Sequence, residues 1–174
     1  MLSPRVTDLS VELGGELLAI CGQFESTDEG ARALKTVLRD GRAAEKFAQM
    51  VAAQGGPNDL IDRSKSVLPV APVIGDVTAP MAGYISRIDG QAVGLAVINL
   101  GGGRMREDDK IDPSVGFSSI VRLGQRIELG EPLGQVHAAS EDAAQMAAEA
   151  LRSAVEITEL PVEPPELIID RITR

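Results

Sequence analysis

The spacing of apolar residues changes along this chain, and the change divides it. From Val6 to Cys21 the apolar positions fall at Val6, Leu9, Leu13, Leu17 and Ile20, steps of three and four that place them on one side of a helix. Gly14-Gly15 interrupts the pattern. Each glycine costs about 1 kcal/mol in a helix interior, so an adjacent pair points to another element packed very close. A second helix is predicted to start at Ser26, with Glu29 completing a capping box. It carries Ala33, Leu34, Val37 and Leu38 on its apolar face and closes at Gly41. A third runs from about Ala43 to Gln54, with Phe47, Met50 and Val51 on one face, and ends at Gly55-Gly56-Pro57. A further helical turn is expected from Asn58 to Arg63.

Beyond this helical stretch, residues 1–66, the texture changes. Leu68 to Gly75 carries two prolines and reads as extended. Pro80 and Gly83 flank a turn before Tyr84-Ile-Ser-Arg-Ile, whose alternation predicts a strand. Asp89 is placed to cap a helix reaching Leu100, with Val93, Ala96, Val97 and Leu100 as its stripe. Residues 117–138 read as strands joined by glycine turns. A helix from Ser140 to Thr158 follows, with Ser140 as N-cap and the acids Glu141 and Asp142 in its first turn. After the prolines at 161, 164 and 165, Leu167 to Ile172 is expected to return to the sheet as a final strand. The order β, β, α, β, β, α, β predicts an α+β domain over roughly 68–174.

Composition narrows the function classes. Aromatic residues are one Tyr, three Phe and no Trp, so the core is expected to be aliphatic and stacking platforms for single-stranded nucleic acid are not expected. A net charge of −9 also argues against a nucleic-acid partner, because a phosphate backbone selects a basic surface. No run approaches the roughly 20 apolar residues that span a bilayer, and the first residues, Met1 to Asp8, lack the apolar core of a secretion signal. No membrane partner is expected. The one cysteine, Cys21, has no internal disulfide partner, which fits a cytoplasmic location. Set among Leu17, Leu18 and Ile20, it is expected to be a buried, inert thiol. A single histidine, His137, excludes a multi-histidine metal site, and no metal is expected. His137 ends an apolar strand with no nucleophile motif beside it, which favours a partly buried structural role over acid–base chemistry.

The densest candidate chemistry lies in Ile98 to Phe117, INLGGGRMREDDKIDPSVGF. Gly101-Gly102-Gly103-Arg104 follows a predicted helix, whereas phosphate-binding glycine loops precede one. A helix C-cap opening a mobile surface loop, or a loop that closes onto another part of the molecule, fits better than a phosphate cradle. Lys110, between Asp109 and Ile111, invites comparison with the modified lysine of lipoyl and biotinyl carriers. Ala79-Pro-Met-Ala-Gly-Tyr-Ile and the glycine-spaced text after Leu123 do so too. The order differs from a carrier, because Lys110 precedes the glycine-spaced strands and His137-Ala-Ala-Ser occupies the place of the modified turn.

Four separated stretches occur together and in order: Ala92 to Arg104, Asp109 to Phe117, Leu123 to Ile127, and Pro132 to Ala138. Together they resemble the C-terminal domain of the thymidine and pyrimidine-nucleoside phosphorylases. Thr7 to Leu13 and Gly41 to Pro57 resemble the last helices of that family's α/β domain. The resemblance implies an N-terminal helical segment, 1–66, left from the phosphate-binding α/β domain, a linker at 67–77, and the C-terminal domain at 78–174. That domain would have an α/β-hammerhead, barrel-sandwich-like fold related to biotinyl domains. The family is homodimeric and cleaves thymidine or uridine with inorganic phosphate and no other cofactor. Its phosphate and base ligands have no counterpart here, and Ser64-Lys65-Ser66 lies outside a glycine-rich strand-to-helix setting. The resemblance therefore implies a C-terminal fragment without catalytic residues of its own. Gly101, Gly102, Gly103, Arg104 and Lys110 would be elements of a loop that closes near the cleft. A stand-alone carrier or interaction module is the alternative.

Overall fold

The computed structural model describes residues 4–172; the outermost residues of the 1–66 and 78–174 spans, including the first three of the stretch tested for a secretion signal, lie outside the described residues. The fold is α+β, with helices first and two small antiparallel sheets after. It divides into two compact units. One runs to Val67 and takes in the segment from Pro165 onward; the other is Leu68–Pro164.

The helical unit contains α1 (Pro4–Ile20), α2 (Thr27–Arg39), α3 (Arg42–Ala53) and α4 (Leu60–Val67). The Ser26 side chain accepts from Glu29 N at 3.3 Å, while Glu29 Oε2 reaches back to Glu25 N at 3.2 Å. The capping box therefore closes one residue earlier than its usual form. Gly41, with φ 89°, separates α2 from α3. The glycine pair in α1 does what its cost implied. A Cβ on Gly15 would lie 2.7 Å from Thr27 O, and one on Gly30 would lie 2.9 Å from Gly15 O. The two helices thus touch backbone to backbone. The side of α1 that packs is Val11 and Gly15. The stripe from Val6 to Ile20 faces away, with its members 36% to 78% exposed. Cys21, just past α1, is exposed, which corrects the expectation of a buried thiol. It belongs to the turn that ends α1, where its N–H bonds Leu17 O at 2.9 Å.

Residues 165–172 lie against α1 without forming a strand. Arg5 Nη2 donates to Pro165 O at 3.1 Å. Arg171 Nε sits 2.6 Å from Glu16 Oε1 and its Nη2 3.7 Å from Glu12. Glu16 Oε1 is sealed from solvent and out of hydrogen-bond alignment, so Arg171 serves it as a counter-charge. The other carboxylate oxygen accepts from Thr27 Oγ1 at 3.0 Å.

The β-rich unit holds β1 (Val73–Thr78), β2 (Gly83–Ile88), α5 (Gly90–Val97), β3 (Gly116–Ser118), β4 (Arg126–Ile127), β5 (Pro132–Ala138), α6 (Glu141–Ala154) and β6 (Val155–Thr158). One sheet runs β1-β5-β3 and the other β4-β2-β6, all pairs antiparallel. Much of the stretch expected as a linker, 67–77, is therefore β1, registered from Val73 opposite Ala138. Pro72 stops just short of the ladder, where its missing N–H costs nothing. Ser140 caps α6 through a 3.3 Å bond from Ala143 N, but the helix ends at Ala154 rather than Thr158. The alternating, β-branched Val155-Glu-Ile-Thr pairs with β2 instead, Val155 opposite Ile88 and Thr158 opposite Tyr84. This strand takes the place in the sheet expected for Leu167 to Ile172. The core gathers Val77, Ile85, Ile127, Leu133 and Val136 under the alanine-rich face of α6, where Ala144, Ala147 and Leu151 are buried.

Candidate functional site

The shape of residues 101–112 follows from the way α5 ends. Asp89 caps that helix through a 2.9 Å bond from Ala92 N. Its last turn widens into a π turn at Ile98–Gly102, so the regular helix stops at Val97, short of the expected Leu100. Gly101 takes φ 93°, a left-handed conformation that penalises any residue with a Cβ. Gly102 and Gly103 then fold back on the helix they leave. A Cβ on Gly102 would lie 2.8 Å from Val97 Cγ1, and one on Gly103 2.7 Å from Ile98 Cγ1. The element after the glycines is β3, so they do not lead into a helix N-terminus as phosphate-binding glycine loops do.

The loop is closed and braced. Asp112 N donates to Gly101 O at 2.9 Å across its base. Asp109 Oδ2 accepts from Met105 N at 3.0 Å and Arg106 N at 2.8 Å. Asp112 Oδ1 accepts from Ser114 Oγ at 2.6 Å and Ser114 N at 2.9 Å. These two bonds, the hydroxyl first, hold the Asp112 carboxyl below the usual carboxylate range.

Of the residues singled out in the sequence, the three glycines come together in the packed stem. Arg104 and Lys110 are exposed on the loop, and among the described residues neither side chain has a hydrogen bond or ion pair. Asp109, Asp112 and Ser114, which organise the loop, were not singled out. The available signal was Asp112-Pro113-Ser114, since Asp bonds the backbone two residues on and Pro presets the turn. His137 is half-buried on β5, opposite Ile74 and Gly116, and its Nε2 lies 2.7 Å from Ser118 Oγ on β3. Lys65 lies in the last turn of α4, exposed. A groove of about 330 Å³ between α5 and α6, floored by Ala96, Ala143 and Ala147, opens beside the stem residues Asn99 and Leu100. Its walls are apolar apart from Asn99, which suits packing better than polar chemistry. No helix among the described residues is long and apolar enough to cross a membrane.

Residues 84–158, from β2 to the end of β6, match the family model of the pyrimidine nucleoside phosphorylase C-terminal domain. Most of the chain is similar to proteins named thymidine phosphorylase. It is 47% identical over 163 residues to the enzyme of Burkholderia cenocepacia (strain HI2424), and equally so to that of Burkholderia orbicola (strain AU 1054). The enzyme of Burkholderia orbicola (strain MC0-3) is 46% identical. Each match covers 94% of this chain and 37% of the relative, so the chain spans little more than a third of the length of these relatives. The braced loop, His137 and the α5–α6 groove all lie within the matched domain. β1 lies before it yet pairs along β5, so the folded unit is wider than the match.

Proposed function

We propose that the chain is the C-terminal portion of a thymidine, or more broadly pyrimidine-nucleoside, phosphorylase and acts only within the longer enzyme. The observation that carries this reading is the coverage: 94% of this chain aligns with thymidine phosphorylases, yet it spans 37% of them. The full-length enzyme would catalyse the reversible phosphorolysis of thymidine to thymine and 2-deoxyribose 1-phosphate, with inorganic phosphate as co-substrate. Residues 1–66 would be the remnant of the phosphate-binding domain and 78–174 a hammerhead-type C-terminal domain, a reading the paired three-stranded sheets favour.

Phosphorolysis of this kind passes through an oxocarbenium-like sugar as phosphate attacks and the base leaves. Catalysis then rests on positioning and charge stabilisation, and on closure that keeps water from the sugar. In this reading Gly101, Gly102, Gly103, Arg104 and Lys110 belong to a loop brought up to the cleft on closure. The enzyme would be a cytoplasmic homodimer. The chain by itself would lack the phosphate and base sites and would self-associate through the open stripe of α1.

The test is thymidine turnover. The purified chain is expected to release no thymine from thymidine and phosphate, and turnover by it would overturn the fragment reading. A chimera joining this chain to the remaining portion of the Burkholderia cenocepacia enzyme is expected to recover activity. A folded but inactive chimera would count against the assignment.

A further inference from the structure

We infer that residues 101–112 form a prefolded Ω-loop in which Asp109 and Asp112 are positioning residues, fixing the backbone that carries Arg104, Arg106 and Lys110. This deepens the closure reading and rests on it only for what the loop meets; the order of the loop itself rests on its own bonds.

A run of three glycines beside a string of charges ordinarily signals a flexible linker. Here the glycines have another use. Gly102 and Gly103 lack side chains because Val97 and Ile98 fill the space, so the run is a stem packed on its own helix and not a hinge. The base is clasped by Asp112 N on Gly101 O at 2.9 Å. The crown is held by one carboxylate oxygen of Asp109, which accepts from two successive backbone amides, Met105 and Arg106. Hydrogen bonds to an ionised carboxylate are about twice as strong as neutral ones. The exit is held by Asp112 on Ser114.

The same arrangement sorts the charges. Asp109 and Asp112 are turned to backbone and hydroxyl donors, and among the described residues neither forms an ion pair. Arg104, Arg106 and Lys110 stay exposed and, among the described residues, uncommitted. A loop ordered before it meets its target surrenders less conformational entropy on contact. Asp109 and Asp112 thereby act through the residues they place and not by touching a substrate.

Amide hydrogen exchange on this chain, followed by nuclear magnetic resonance, tests the inference. The Met105, Arg106 and Asp112 amides are expected to exchange about tenfold or more slower than those of Glu107 and Asp108, as charge-assisted bonds imply. Asp109→Ala is expected to abolish the protection at Met105 and Arg106 while leaving the melting temperature unchanged. Asp109→Asn, whose amide oxygen still accepts, is expected to keep part of it. Uniformly fast exchange across the loop overturns the inference, as does protection that survives Asp109→Ala. The outcome is separable from the closure reading: a protected loop in an inactive chimera sinks closure alone, and an active chimera with a freely exchanging loop sinks prefolding alone.

Discussion

The two units bury themselves to very different degrees, although both contain well-capped, amphipathic helices. In the β-rich unit α6 turns its alanines and Leu151 onto two sheets, and Leu133, Ile85 and Val77 are fully shut from solvent. In the helical unit the buried apolar side chains among the described residues are Val11 and Ala31. Its larger apolar residues, Leu13, Leu17, Ile20, Phe47 and Met50, are open. The contrast teaches that periodicity reports a helix with an apolar side, not whether this chain supplies the surface that covers it. In α1 the contact that forms is made by glycine and backbone, and the leucine stripe is left over.

The sharpest way to break the comparison is to shorten one leucine in each unit. Leu151→Ala is expected to cost about 2–5 kcal/mol, as buried leucines do, whereas Leu17→Ala is expected to stay within about 0.5 kcal/mol. Tyr84, the chain's one tyrosine, lies on β2, so its fluorescence during urea unfolding reads the β-rich unit directly. Leu17→Lys is expected to reduce self-association in light scattering while leaving that transition in place; an unchanged mass would mean the stripe is not the contact.

Next in size is Gly15→Ala. Alanine gains about 1 kcal/mol of helix propensity over glycine. Its Cβ, however, would meet Thr27 O at 2.7 Å and Ala31 N at 3.0 Å. Both are backbone atoms, and overpacking costs about 1–3 kcal/mol. Helical circular dichroism should be lost at lower temperature with the Tyr84 transition unmoved. A gain in stability would show that α1 and α2 part easily.

The smallest effect is acid loosening, and it occurs in both units. Asp112 is held low by its bonds from Ser114, and Asp40, between α2 and α3, by the Arg42 side chain first and the Arg42 backbone second. A carboxyl with a depressed folded value stabilises the fold above its ordinary range and loses that contribution as pH falls through the depressed value. Amide protection at Ser114 and Arg42 is therefore expected to fall in that acidic window, before Tyr84 reports unfolding. Protection that persists to full acid unfolding would show that the carboxylates are not the clasps.

Much of the fold was legible because its signals are local. Ser26, Asp89 and Ser140 cap the helices they were expected to cap, and Gly14-Gly15 announced a close approach. What escaped depends on partners distant in sequence. Val155 to Thr158 continues a helical-looking run and becomes a strand only because β2 offers an edge. Leu167 to Ile172 has strand-like residues but no strand to pair with, and Cys21 among leucines lies past the end of its helix. At the candidate site the glycine run stood out in the sequence. The carboxylates that shape it did not, because an acid that accepts from the backbone and an acid in solvent are written with the same letter.

The clasp on α1 has a consequence for the birth of the chain. Arg5 bonds Pro165, 160 positions downstream, and Glu16 finds its counter-ion in Arg171. A ribosome emits α1 before Arg171, and units generally fold as they emerge. The whole β-rich unit is therefore synthesised while Glu16 waits. α1 is therefore finished only after the β-rich unit has been made, and until then Glu16 lacks the charge that balances it.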